Sequence, residues 1–134
     1  MQNKKLDQLV TQLENYLECW KLLNHYVSLA RGRKFSAEDE DQFLEVKAIV
    51  VQEWELISAA MECASPSRDE IHAFIAAAPS LRYLSESNEG ALRALENQWH
   101  KIYVALQAIV GQVKVKQREI EGQSFLTSMF KKKS

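Results

Sequence analysis

Apolar residues in the last third of the chain recur at alternating steps of three and four. They stand at Leu92, Leu95, Trp99, Ile102, Leu106, Ile109 and Val113, with Ile120 following after a polar interruption. This spacing is that of a heptad seam. It predicts a helix over residues 92–120, about 43 Å long at roughly 1.5 Å per residue. One helix cannot bury its own stripe, so the rest of the chain must supply partner helices.

The N-terminal part carries a second stripe and predicts a helix from Asn3 to Ala30. Arg31 and Gly32 end it, because cations are favourable at a helix C-terminus and glycine can adopt the left-handed cap. The apolar positions are Leu6, Leu9, Leu13, Tyr16, Trp20, Leu23, Val27 and Ala30.

A second long helix is predicted to begin at Ser36 and to end near Cys63 or Ala64, just before Pro66. Ser36 and Asp39 have the spacing of a capping box. The acidic residues 38–41 fit the positive end of the helix dipole. A cation site is the alternative, but a calcium loop would alternate its ligands and include a glycine. The buried stripe is Phe43, Val46, Val50, Trp54, Ile57 and Met61.

The segment between the second and third long helices predicts only short helices. Ser67 and Glu70 form another capping-box pattern, Pro79 stops the helix that follows, and Ser80 starts one further turn. The predicted fold is therefore all-α: an antiparallel helical bundle of three long helices with a short helical insertion between the second and third. We expect residues 1–123 to form the bundle domain and residues 124–134 an amphipathic tail.

Composition fits one globular domain and gives no electrostatic drive toward nucleic acid. The chain has 134 residues, of which 46% are hydrophobic and 26% charged, with a net charge of −1. The charge is uneven: +3 over residues 1–35, −8 over 36–75 and +4 over 76–134. This pattern suits packing between antiparallel neighbours, and binding of a basic partner is the alternative interpretation.

The sequence predicts a cytoplasmic location. No apolar segment follows the N-terminus as in a signal peptide, and no run approaches the roughly 18–20 apolar residues of a membrane span. Two cysteines, Cys19 and Cys63, are too few for a disulfide scaffold and fit no zinc motif, so reduced thiols are expected.

No catalytic or cofactor motif is present, so we expect a protein that is not an enzyme and needs no cofactor or metal. A di-iron bundle requires Glu-x-x-His on two helices. The nearest pairs here, Glu96 with His100 and Asp69 with His72, are single pairs on one helix each. The three tryptophans lie on the apolar stripes of different long helices. All three are expected to be buried in the core.

The C-terminal tail is the candidate partner-binding site. Helical spacing places four apolar residues on one face, and three lysines follow. Such a segment can lie on an anionic membrane or in the groove of a partner protein, and it can instead dock on its own bundle or across a dimer. The predicted site residues are Phe125, Leu126, Met129, Phe130, Lys131, Lys132 and Lys133.

These observations favour a non-enzymatic, cytoplasmic protein-interaction bundle of adaptor type, with a homodimer as one possible form. The alternative is a secretion-type chaperone or a membrane-surface factor that acts through the tail. The outline of long helices with an apolar tail resembles that of flagellar export chaperones, although no motif accompanies the outline. A small-ligand-binding or metal-binding bundle is a second alternative. Neither nucleic acid nor a small-molecule substrate is expected as a partner.

Overall fold

The computed structural model describes residues 4–61 and 66–133, with side chains up to residue 122, and this part of the chain is helical without any strand. The predicted all-α class is therefore confirmed. Five helices follow one another in the described residues: α1 (Lys4–Arg31), α2 (Ala37–Met61), α3 (Arg68–Ala77), α4 (Leu81–Ser85) and α5 (Glu89–Lys133).

Helices α1 and α2 lie side by side in opposite directions. The hydroxyl of Tyr16 donates to the carbonyl of Val50 at 2.9 Å, and the hydroxyl of Tyr26 donates to Gln42 at 2.7 Å. Residue numbers rise along α1 as they fall along α2. The link between them is only five residues long, and a short link of this kind makes neighbouring helices antiparallel.

Helix α5 packs on another side of α1, again in the opposite direction. The indole N–H of Trp99 donates to the carbonyl of Trp20 at 2.8 Å, and Lys114 pairs with Glu14 at 3.5 Å. Helix α1 thus contacts both of the other long helices, and it contacts α4 as well. Its stripe is accordingly the most completely buried, from Val10 to Ala30.

Helices α3 and α4 run back along α2, with α3 packed between α2 and α5 and α4 packed on α1 and α2. Arg68, the first residue of α3, pairs with Glu55 at 2.7 Å. Further along, the carboxylate of Glu40 accepts from the backbone N–H of Leu81 at 2.7 Å, at the start of α4. Residues 78–80 break the path between the two helices, because Pro79 cannot donate a backbone hydrogen bond.

The predicted caps are present. The amide of Asp39 donates to the hydroxyl of Ser36 at 3.1 Å, and the amide of Ser36 donates back to the Asp39 carboxylate at 2.9 Å. The amide of Glu70 donates to the hydroxyl of Ser67 at 3.1 Å. These contacts satisfy amides that the first turn of a helix leaves unpaired.

The turn after α1 differs from the prediction in one residue. The left-handed backbone conformation lies at Arg33, with φ of 55°, and not at Gly32. Arg33 tolerates it because its amide donates to the carbonyl of Ala30 at 3.0 Å and its guanidinium donates to the carbonyl of Ser85 at 3.3 Å.

The core is made of apolar side chains from all five helices, and no charged or polar residue of the described part is buried in it. Trp20 and Trp54 are buried as expected. The expectation for Trp99 was too strong, because its ring is only half-buried at the edge of the α1–α5 contact. There it stacks on Tyr103, with the ring centroids 4.7 Å apart.

Gly111 lies inside α5 without a close neighbour. A Cβ placed on it would meet no atom within 4 Å. We therefore expect Gly111→Ala to raise the free energy of unfolding by about 1 kcal/mol, the difference in helix propensity. Chemical denaturation measures it. Ala108→Gly, an exposed position one turn earlier, is the matched control and should lower stability by a similar amount. A destabilised Gly111→Ala protein would contradict the open surroundings of this position.

Candidate functional site

Helix α5 extends well beyond the helices that flank it. Its Gln117 side chain donates to the carboxylate of Asp7, which fixes the level of the two helices. Helix α5 continues for 16 residues past Gln117, whereas α1 has only three described residues before Asp7. The difference of 13 residues corresponds to about 20 Å. Residues 121–133, here called the α5 extension, therefore lie past the first turn of α1.

The other end of the molecule is tied together by charge. The guanidinium of Arg31, at the end of α1, contacts the carboxylates of Glu89 and Glu96 in the first turns of α5, the latter at 2.6 Å. Paired acids raise the pKa of this guanidinium, the hydrogen bond to Glu89 first and that to Glu96 next. Among the described residues, the two ends of the structure therefore differ. Ion pairs join α1 to α5 at one end, and α5 extends past α1 at the other.

A groove opens where the α5 extension leaves the other helices. It has a volume of about 570 Å³ and lies between the beginning of α1, the end of α2 and the middle of α5. Its apolar lining comes from all three helices, and amides and two lysines lie around it. The lining residues are Lys5, Leu6, Gln8, Leu9, Gln12, Ala60, Met61, Gln112, Val113 and Lys116.

The predicted site residues lie on the α5 extension. Residues 125–133 belong to the helical backbone of α5, but their side chains lie outside the described ones, so their role stays a prediction. Helix α5 passes through Gly122 without interruption. The last buried α5 residue among the described side chains is Val113, so the extension begins well after the core ends.

The residues of the two candidate ligand pairs lie in an ion pair or on the surface. Glu96 is held by Arg31, and His100 and His72 are both exposed. Within the described residues, no three His, Cys, Asp or Glu side chains converge as metal ligands do.

Cys19 is partly buried beside α2, and burial raises the pKa of its thiol, with the nearby carboxylates of Glu53 and Glu18 adding to the effect. A raised pKa keeps the thiol protonated at neutral pH. This shift is opposite to the one that activates a nucleophilic cysteine, which sits among positive charges or at a helix N-terminus.

The groove was missed by the sequence reasoning, although a signal existed. Helix α3 has 10 residues where the neighbouring α2 has 25. A short helix packed on a long one leaves part of the apolar stripe of the long helix without a partner. Comparing the lengths of the predicted elements would have pointed to the end of α2 and to Met61.

Comparison with family models, with curated proteins and with solved structures gives no match for this chain. In the described part of the chain, no helix combines the length and the apolar character needed to cross a membrane.

Proposed function

We propose that this protein is a non-enzymatic protein-interaction bundle of adaptor type, which binds its partner through the α5 extension. The single observation that carries the proposal is the length of α5: it continues about 20 Å past the level at which α1 begins. Its sequence there contains Phe125, Leu126, Met129 and Phe130. An apolar segment that continues past the neighbouring helices is typical of a surface that another molecule covers.

The fold supports this role if the helices form the bundle that we infer, with three long antiparallel helices and α3 and α4 as the insertion between the second and third. Opposite residue order in the α1–α2 and α1–α5 contacts supports that arrangement. A core shared by all five helices would hold α5 rigidly up to Val113. A helix anchored over this length presents its end to a partner with little loss of conformational entropy.

Site-specific photo-crosslinking tests the proposal. A benzophenone amino acid placed at Met129 should form an adduct with a defined protein in cells, because helical spacing groups this position with the apolar residues of the extension. The same group at Gln52, an exposed position on α2, is the matched control and should give no such adduct. Equal adduct patterns from the two positions would contradict a binding role of the extension.

Binding to a membrane surface through the same extension is the second candidate, and Lys131, Lys132 and Lys133 favour it. Each lysine near an anionic surface contributes about 1 kcal/mol, and the attraction falls with salt. Flotation with vesicles rich in anionic lipid, compared between the native chain and the triple Lys→Ala variant, separates it from protein binding. A cytoplasmic location is part of the leading proposal, and cell fractionation checks it.

A further inference from the structure

We propose that the groove between α1, α2 and α5 binds the α5 extension of a second copy of this chain, so that two copies exchange the ends of their α5 helices. This inference rests on the proposed function, because it identifies the partner of the same extension. Its occupant is residues 125–133 of the second copy, and the dimer it forms is symmetric.

The groove marks a place where a helix antiparallel to α5 is missing among the described helices. Helix α3 occupies this place further along, packed on α2 and α5. It begins at Arg68, which the ion pair with Glu55 places at that level of α2. Helix α2 continues for six more residues, to Met61, which corresponds to about 9 Å. Over this length, α2 and α5 have no described helix between them.

A second α5 has the direction that this place requires. Two copies related by a two-fold axis perpendicular to α5, near residues 121–124, bring their C-terminal halves together in antiparallel orientation. Contacts of this kind are isologous, because each copy offers both the groove and the extension. The extension of about 20 Å is longer than the roughly 9 Å by which α2 continues past Glu55, so it reaches the groove and still crosses the axis.

The chemistry of the two surfaces matches. The floor of the groove is formed by Leu6, Leu9, Met61 and Val113, which are aliphatic or thioether side chains. The incoming segment 125–130 supplies two phenylalanines, a leucine and a methionine. Aromatic and methionine side chains are enriched in the buried centre of interfaces, where they contribute most of the binding energy.

The order of charges along the incoming helix also fits this direction. The lysines 131–133 come last and approach the beginning of α3, whose first turn carries Asp69 and Glu70. The opposite orientation would place these three lysines at the mouth of the groove beside Lys5 and Lys116, which is unfavourable.

The test uses sedimentation equilibrium of the full chain, with circular dichroism to verify folding. The native chain should be a dimer. Met61→Glu introduces a charge into the groove at the last described residue of α2, where the side chain is only partly buried. We expect this variant to keep its helicity and to weaken dimerisation at least a hundredfold. Ala59→Glu, exposed on the same turn and outside the groove, is the matched control and should leave the dimer intact.

A mixing experiment tests whether the extension of one copy binds the groove of the other. The deletion of residues 124–134 removes the extension and keeps the groove, whereas Met61→Glu keeps the extension and disables the groove. Each protein alone should be monomeric, and an equimolar mixture should form a heterodimer held by a single contact. A mixture that stays monomeric would overturn the exchange, and so would a deletion variant that still dimerises.

These outcomes are distinct from failure of the proposed function. A monomeric native chain whose residue 129 crosslinks to another protein would overturn the dimer and leave the interaction role standing. A native chain that neither dimerises nor crosslinks through the extension would overturn both.

Discussion

Trp20→Ala is expected to lower the free energy of unfolding by about 3–5 kcal/mol, the loss typical of large buried aromatic residues. Trp20 is completely buried near the middle of α1. Its ring lies 5.1 Å from that of Phe74 and 6.4 Å from that of Tyr16, measured between centroids. The alanine variant therefore leaves a cavity between α1 and α3 that the surrounding helices cannot close. Urea denaturation measures the loss. The slope of the unfolding free energy against urea concentration (the m-value) should stay unchanged.

Two related variants give this prediction its control. The indole N–H of Trp20 has no hydrogen-bond partner among the described residues. Trp20→Phe removes this unpaired group, whose burial costs about 1–3 kcal/mol, and should therefore lose less than half as much stability as Trp20→Ala. Trp99→Ala should fall between the two, because Trp99 is half-buried and its N–H is paired. A loss below 1 kcal/mol for Trp20→Ala would show that this ring does not lie in the core.

The sequence predicted the features that depend on neighbours within a turn or two. The period of the apolar stripes gave three long helices, and the bounds of the first, Asn3–Ala30, differ by one residue at each end from the described Lys4–Arg31. Ser36 and Ser67 were recognised as caps because a capping box is a contact over three residues. The sequence pattern and the structure agree here because both are local.

Predictions from the local sequence failed for side chains whose contacts are with distant parts of the chain. Glu40 was interpreted through the dipole of its own helix, yet its carboxylate binds amides at the start of α4, 41 and 42 residues later. The edge position of Trp99 follows from how α5 meets α1, and a stripe drawn on a single helix does not contain that information.

The end of α5 was also misjudged, for an energetic reason. Helix was predicted up to residue 120, but the described helix continues through Gly122 to Lys133. One glycine costs a helix about 1 kcal/mol, which is too little to end it when the following residues favour helix. The extension and the groove beside it are consequences of relative helix lengths, and these emerge only when the helices are placed side by side.

Phe74→Ala is expected to lower the free energy of unfolding by about 3–5 kcal/mol and to release α3 before the rest of the molecule. Helix α3 has ten residues, of which only Ile71 and Phe74 are buried. An isolated helix of this length is marginal in water, so α3 depends on these two side chains for its stability. Hydrogen exchange should show protection falling most strongly in α3, with α2 around Val50 affected only through global unfolding.

The contact between Phe74 and Trp20 makes this result testable beyond a simple loss of stability. His72→Ala, exposed on the same helix, is the control and should change stability by no more than about 0.5 kcal/mol. The double variant of Phe74 and Trp20 should lose less than the sum of the single losses, with a coupling of about 0.5–3 kcal/mol, because each single change already breaks the shared ring contact. Strict additivity would show that the rings do not touch. Equal loss of protection in α2 and α3 would show that α3 does not open separately.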